Sequence, residues 1–409
     1  MAADVTLGRD AAPRVSPLYD PRVRGIVVQV LVLVLLVAAV AWIVDNTVTN
    51  LRRANVASGF DFLRGRAGFD ISTSTIAYSS DSTYSRALIV GLINTIKVAV
   101  AGIFTATILG FIVGVGRLSR NWLVRKICTV YVEIFRNIPP LLVIFFWYFG
   151  VLSVLPNPRD SVELGIPLSF SDPESFLSFS TFLNNRGLFM PAPIWGEGAW
   201  LIGLAVAVAL AMIWFVRRAA RIRQEATGQQ FPVFWTSLAL LIGLPLLAYF
   251  AAGMPLSFDV PQQSRFNLTG GTSLQPEFLS LYLALSFYTA SFIAEIVRGG
   301  ILGVSRGQTE AASALGLRSG PILRLVLIPQ ALRIIIPPLT SQYLNLTKNS
   351  SLAIAIGYPD LVAIGGTILN QTGQAIEVVA IWMVVYLGLS LITSAFMNWF
   401  NARMALVER

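Results

Sequence analysis

Runs of apolar residues long enough to cross a lipid bilayer recur along this chain, separated by shorter polar segments. A hydrocarbon core of about 30 Å takes about 20 apolar residues at 1.5 Å rise each. Read with that window, the sequence predicts eight spans, at 25–45, 87–116, 127–155, 197–216, 232–252, 277–297, 332–357 and 375–400. No small-residue cleavage site follows the first run, which is also too long for a signal core, so it is expected to be retained. No internal repeat and no coiled-coil heptad is present. The predicted fold class is an all-α polytopic membrane protein of about eight transmembrane helices.

Composition agrees, with 55% hydrophobic residues, 12% charged residues and a mean hydropathy of +0.69. A soluble domain carries about 25% charged residues. The formal charge of +9 would suggest nucleic acid in a soluble protein. Its distribution points to topology instead, because Lys and Arg near span ends stay cytoplasmic. With both termini inside, the cytosolic side collects Arg9, Arg14, Arg22, Arg24, Arg117, Arg120, Arg125, Lys126, Arg217, Arg218, Arg221, Arg223, Arg298, Arg306, Arg318, Arg324, Arg333, Arg403 and Arg409. The other side holds fewer, mainly Arg52, Arg53, Arg64, Arg66 and Arg86 in one long first loop. "RRAARIR" at 217–223 is a topology determinant within reach of anionic lipid.

Absences narrow the chemistry. Histidine does not occur, so imidazole metal sites and Ser-His or Cys-His catalysis are excluded. Cys128 is the sole cysteine, which rules out an internal disulfide and a thiolate metal cluster. The three lysines follow Ile96, Arg125 and Thr347, so no Gly-Lys-Ser/Thr phosphate loop exists. The chain is expected to carry no catalytic residues, no metal and no cofactor of its own.

One polar-flanked segment, "QTEAASALGLRSGPILRLVLIPQALRIIIPP" at 308–338, keeps helical patterning between two spans. Ser305 and Gln308 are spaced as a capping box that starts a helix near Arg306. Gly316 suits the left-handed residue that ends it, and Pro321 suits a first helical position where the chain restarts. From periodicity alone, this short helix is either a docking element or an amphipathic helix lying on the membrane.

The spacing of Glu310-Ala311-Ala312, Gly316 and Pro329 resembles the EAA loop of permease subunits in bacterial ABC importers, with Val326 and Ile328 as conservative departures. Stretches 91–119, 132–150, 288–317 and 327–353 resemble the polar amino acid subfamily, covering about half the chain. The two extra spans and long loops look like the enlarged permeases of general L-amino acid importers. The resemblance implies a type I ABC importer permease core and a coupling helix carrying Arg306, Gly307, Glu310, Ala311, Ala312, Gly316 and Pro329. It further implies a second permease chain, similar or identical, and a P-loop ATPase dimer holding ATP and Mg. A periplasmic amino acid binding protein and an L-amino acid substrate complete the set, with lipid around the spans and no nucleic acid. The expected location is the bacterial inner membrane, multi-pass, N-in and C-in.

Organised this way, residues 1–24 are a cytosolic segment and 25–86 the first span with a periplasmic loop. Residues 87–155 form the first part of the core, and 156–275 an insert of two plain spans with polar loops. Residues 276–400 form the second part of the core, with the EAA loop at 305–330, and 401–409 a tail. The insert is expected to serve as a docking surface for the binding protein or as lipid-facing packing.

Polar residues inside spans default to function. Glu133 and Arg136 share a helix face just before Pro139-Pro140. Arg136 either forks onto a substrate carboxylate, with Glu133 meeting its amino group, or joins a structural ion pair with Glu133 near the cytosolic end. Lys348, with Asn345, Asn349 and Ser350, faces a pathway or partner unless the lysine snorkels. Tyr288 completes the pathway candidates. Asn94, Thr95 and Lys97 raise the same question, Lys97 being within reach of the outer headgroups. Glu295 and Arg298 read as a salt bridge with a glycine hinge behind it or as part of a gate. The "FFWYF" run at 145–149 reads as a membrane belt or helix contact. The alternative function is an ion-coupled secondary carrier, which would lose uptake when the proton gradient collapses, whereas an ABC importer loses it when ATP is depleted.

Overall fold

The computed structural model describes residues 21–53, 59–164, 180–264 and 267–404. The expected amino-terminal segment up to residue 20 and the end of the tail, with Arg9, Arg14 and Arg409, lie outside the described residues. The helices are α1 (Pro21–Arg53), α2 (Tyr84–Gly116), α3 (Trp122–Asn137), α4 (Pro140–Phe145), α5 (Trp200–Thr227), α6 (Val233–Ala251) and α7 (Pro276–Leu302). They continue with α8 (Arg306–Ala314), α9 (Ser319–Pro321), α10 (Ile328–Asn349), α11 (Leu361–Thr372) and α12 (Ala375–Met404). Among the described residues, seven helical runs are long and apolar enough to cross a membrane, or eight if the bent pair α3 and α4 is one span.

That pair departs from the straight span expected at 127–155. Ile138 and Pro139 are extended, since a residue before proline is pushed out of the helical region. Pro140 then starts α4 at 111° to α3. Beyond α4 the chain runs on as a π turn over Phe146–Leu152. The insert also differs from the irregular loops expected. Strands β1 (Val162–Glu163), β2 (Phe182–Asn184), β3 (Gly187–Met190) and β8 (Thr272–Leu274) form an antiparallel sheet in the order β1-β2-β3-β8. β4 (Ala192–Trp195) pairs with β5 (Leu256–Asp259), and β6 (Gln262–Gln263) with β7 (Leu268–Thr269). The β4–β5 ribbon ties together the ends of the α5–α6 hairpin, whose helices pack on each other and leave most of their apolar surface exposed.

The bundle is built on α2 and α7, which run in the same direction. Gly102, Ala106, Gly110 and Gly114 form a ridge of small buried residues at four-residue spacing on α2. A Cβ at Gly110 would lie 2.6 Å from Ile293 Cβ, and one at Gly114 would lie 2.7 Å from the Ala294 carbonyl. Small-residue ridges let membrane helices approach backbone to backbone. Gly300 does the same for α7 against Ile335 of α10, while a Cβ at the neighbouring Gly299 would meet nothing within 4 Å. Around this framework lies the main core, including Ile144, Leu285, Ile335, Leu339 and Leu346.

Charged and polar residues mark the edges of the apolar band. Between Lys97 and Arg117 on α2 lie roughly 19 uncharged residues, about 28 Å of helix. Glu277 and Glu295 on α7 are separated by about 27 Å, and Tyr386 and Arg403 on α12 by about 26 Å. A second hydrophobic core, with Ala67, Ala87, Val90, Leu361, Ile364, Ile368 and Val378, lies beyond the Lys97 edge. Residues 59–83 wrap it, and Asn94 Nδ2 donates to the carbonyls of Thr73 and Pro359 at 2.9 Å each. The long first loop is thus a packed cap rather than a polar spacer.

Candidate functional site

At the opposite edge, α8 stands out from the bundle. It begins at Arg306 and ends at Ala314, as the spacing predicts. Gly316 has φ +77°, its N–H reaches Ser313 O at 2.9 Å, and Leu317 N–H reaches Ala312 O at 3.2 Å. These paired bonds close the helix in the Schellman arrangement, which the glycine makes possible. The capping box is not formed in either half: the Gln308 N–H goes to the Ser305 carbonyl at 3.1 Å and Ser305 makes no side-chain cap bond, while the Gln308 side chain turns to α10 and accepts from Gln330 Nε2 at 3.3 Å. Pro321 likewise falls at the third residue of α9, with Arg318 at the cap.

Of the α8 side chains only Ala312 is buried, while Arg306, Gly307, Glu310 and Ala311 are exposed and Leu315 is 82% exposed. A nine-residue helix with one buried side chain gains little from the described residues around it, and the rest of its surface is exposed among them. Pro329 lacks the N–H that would bond the Leu325 carbonyl. The preceding π turn over Ile322–Leu327, where Ile328 N–H reaches Leu323 O, absorbs the defect and carries the chain into α10.

On α10 the exposed positions Ile334, Pro338, Ser341, Asn345 and Lys348 fall at spacings of three and four, one face of the helix. Three of them are polar, within the apolar band. Ser350 is not on this face: it is fully buried and donates to Thr347 O at 2.7 Å. Tyr288 is half-buried, its ring 5.1 Å from Phe292.

Arg136 and Glu133 do not pair with each other. Arg136 stands 3.9 Å from Glu295 and 5.5 Å over the Phe292 ring, while the Glu133 side chain is exposed. Glu295 gathers three guanidinium groups, from Arg117 on α2, Arg136 on α3 and Arg298 on α7, the last at 2.5 Å. The i,i+3 pair with Arg298 was visible in the sequence; the links to Arg117 and Arg136 needed the packing of three helices. The expected structural role of Arg136 therefore has a partner in space, though a different one.

Sequence reasoning missed Asp360. It is fully buried at the turn between α10 and α11, where its Oδ1 accepts from Ala363 N–H at 2.8 Å as the N-cap of α11. Leu361 N–H donates to Thr95 Oγ1 at 3.1 Å, and the Tyr358 hydroxyl donates to Asn94 O at 3.2 Å. Asn94 and Thr95 are thus committed to bracing this turn. The signal was "GYPDL" (357–361): a Gly-x-Pro turn and an Asp before an apolar run.

Residues 226–406 match the family described as Binding-protein-dependent transport system inner membrane component. The chain is 64% identical to the General L-amino acid transport system permease protein AapQ of Rhizobium johnstonii, over 96% of this chain and 95% of that protein. It belongs to the amino acid ABC transporter permeases. A further relative of this permease is the Glutamate/glutamine/aspartate/asparagine transport system permease protein BztB of Rhodobacter capsulatus, 44% identical over 96% of each chain. The BztC protein of the same system is 35% identical over 29% of the permease and covers 25% of its own length. None of these relatives supports the ion-coupled carrier alternative. Within the permease, α8 occupies the EAA motif and the α10 stripe is the polar face turned away from the chain's own core.

Proposed function

We propose that this permease is one of two membrane subunits of an ATP-driven importer carrying L-amino acids from periplasm to cytoplasm across the bacterial inner membrane. The observation that carries the reading is α8, a closed helix whose Glu310, Ala311 and Leu315 are exposed, with no partner surface among the described residues. A P-loop ATPase dimer, holding ATP and Mg, takes that surface. The α10 stripe of Ser341, Asn345 and Lys348 faces the second permease and the pathway between them, since polar groups within the apolar band need water or protein around them. The existence of two similar proteins in the Rhodobacter capsulatus system favours a second chain of the same family. Similarity to AapQ along the whole chain favours a broad range of L-amino acids, delivered by a periplasmic binding protein. Both termini and α8 lie in the cytosol, where Arg306, Arg318, Arg324 and Arg403 satisfy the positive-inside rule.

The test is purification of the detergent-solubilised complex through this chain, comparing wild type with Glu310→Lys and Gly316→Pro. Proline cannot adopt the φ of +77° at Gly316. A P-loop ATPase and a second permease should accompany the wild type, and the ATPase should be lost from both variants while the permease pair remains. Transport by a lone chain that tolerates both substitutions would sink the proposal.

A further inference from the structure

At the edge of the band opposite α8, a crevice of ≈ 830 Å³ opens between α2, the start of α7, residues 73–75 and residues 272–275. Lys97 lines it, half-exposed, and forms no ion pair among the described residues. The nearby acid, Glu277, is engaged by the Tyr148 hydroxyl at 3.1 Å and does not line the crevice. The other walls include Ile96, Val100 and Phe278. Ile96 and Val100, 38% and 63% exposed, belong to the outward apolar stripe of α2 that continues through Phe104 and Ile108. The crevice therefore opens sideways toward lipid, and none of the α10 stripe residues reaches it. Its roof is pinned: Gln275 Nε2 donates to Ser72 O at 3.0 Å, and Asn94 holds Thr73 O.

A lone ammonium at the headgroup level, above an apolar wall that faces acyl chains, matches one ligand chemistry: a phosphate monoanion attached to a hydrocarbon tail. We propose that this crevice is a binding site for an anionic phospholipid, with Lys97 on the phosphate and one acyl chain along Ile96 and Val100. The site is independent of the import reading and does not stand or fall with it.

Native mass spectrometry of the complex, delipidated and then titrated with phosphatidylglycerol or phosphatidylcholine, tests this. Wild type should retain phosphatidylglycerol preferentially. Lys97→Gln should weaken it about fivefold, the scale of one basic residue near an anionic surface, and Lys97→Arg should restore it. Val100→Trp should also displace the lipid by filling the mouth with the cation intact. Equal retention by wild type, Lys97→Gln and Val100→Trp would overturn the proposal. So would equal occupancy by glycerol phosphate, which lacks the tail, or displacement of the lipid by L-glutamate, which would make the crevice a substrate or free-anion site.

Discussion

Replacing Gly114 with alanine should destabilise the permease, whereas the same replacement at Gly388 should not. The two glycines lie inside long membrane helices, α2 and α12, so alanine gains about 0.8–1 kcal/mol of helix propensity at either. Their surroundings differ. A Cβ at Gly114 would lie 2.7 Å from the Ala294 carbonyl and 2.8 Å from Val297 Cβ; at Gly388 nothing lies within 4 Å. Because the closest atom at Gly114 is backbone, no rotamer change relieves the contact, and α2 must move away from α7. Overpacking of this kind costs about 1–3 kcal/mol. The propensity gain cancels between the two variants, leaving Gly114→Ala about 1–3 kcal/mol worse than Gly388→Ala. Thermal unfolding of both in the same detergent, followed by loss of monodisperse protein, reads the difference directly. Equal midpoints would refute the claim that the α2–α7 contact is the framework of the bundle.

Two further substitutions test the charged and polar edges of the band. Arg136→Ala should leave uptake and its KM nearly unchanged, because the pair with Glu295 at 3.9 Å is half-exposed and such pairs contribute about 0–1 kcal/mol; a tenfold rise in KM with assembly intact would put Arg136 on the substrate route. Asp360→Ala should lower stability by about 0.5–2 kcal/mol through loss of the α11 cap, while Asp360→Asn, which still accepts from Ala363 N–H, should stay near wild type in a denaturation series.

How much of this was legible in the sequence depends on whether the information was local. The spans were, because each apolar run satisfies the bilayer length alone; so was α8, whose end is dictated by a glycine at φ +77°. The bend at Pro139 was half legible: the double proline marked a break, but its angle is set by Tyr131 and Phe135 packing on Phe287. The Gln308 half of the capping box was lost to a partner 22 residues away, Gln330, a choice no local rule contains. Among the site candidates, Asn345 and Lys348 share a face by periodicity, whereas the burial of Ser350 follows from the change to a 3-10 turn at that residue. The packed cap over residues 59–83 was hidden because its apolar residues are scattered among Ser and Thr and meet only when α2, α11 and α12 converge.

The rigid contacts also say where motion can and cannot occur. α8 packs on the π turn over Ile322–Leu327 that leads into α10 and is tied to α10 by the Gln308–Gln330 bond, and α10 is locked to α7 where Gly300 receives Ile335. α7 is in turn locked to α2 through Gly110 and Gly114, and Arg117 and Arg298 close the same end on Glu295. A pull on α8 is therefore carried into α10, α7 and α2 as one body, because close-packed interfaces transmit displacement rather than absorb it. The polar stripe of Ser341, Asn345 and Lys348 rides on that body. Compliance is left to the break at the extended residues Ile138 and Pro139 between α3 and α4, since the turn from Gly357 to Asp360 buries Tyr358 and Asp360 and is braced by Asn94 and Thr95. An element displaced by a partner at one edge of the band can thus tilt the polar stripe of α10 without unpacking the helices behind it.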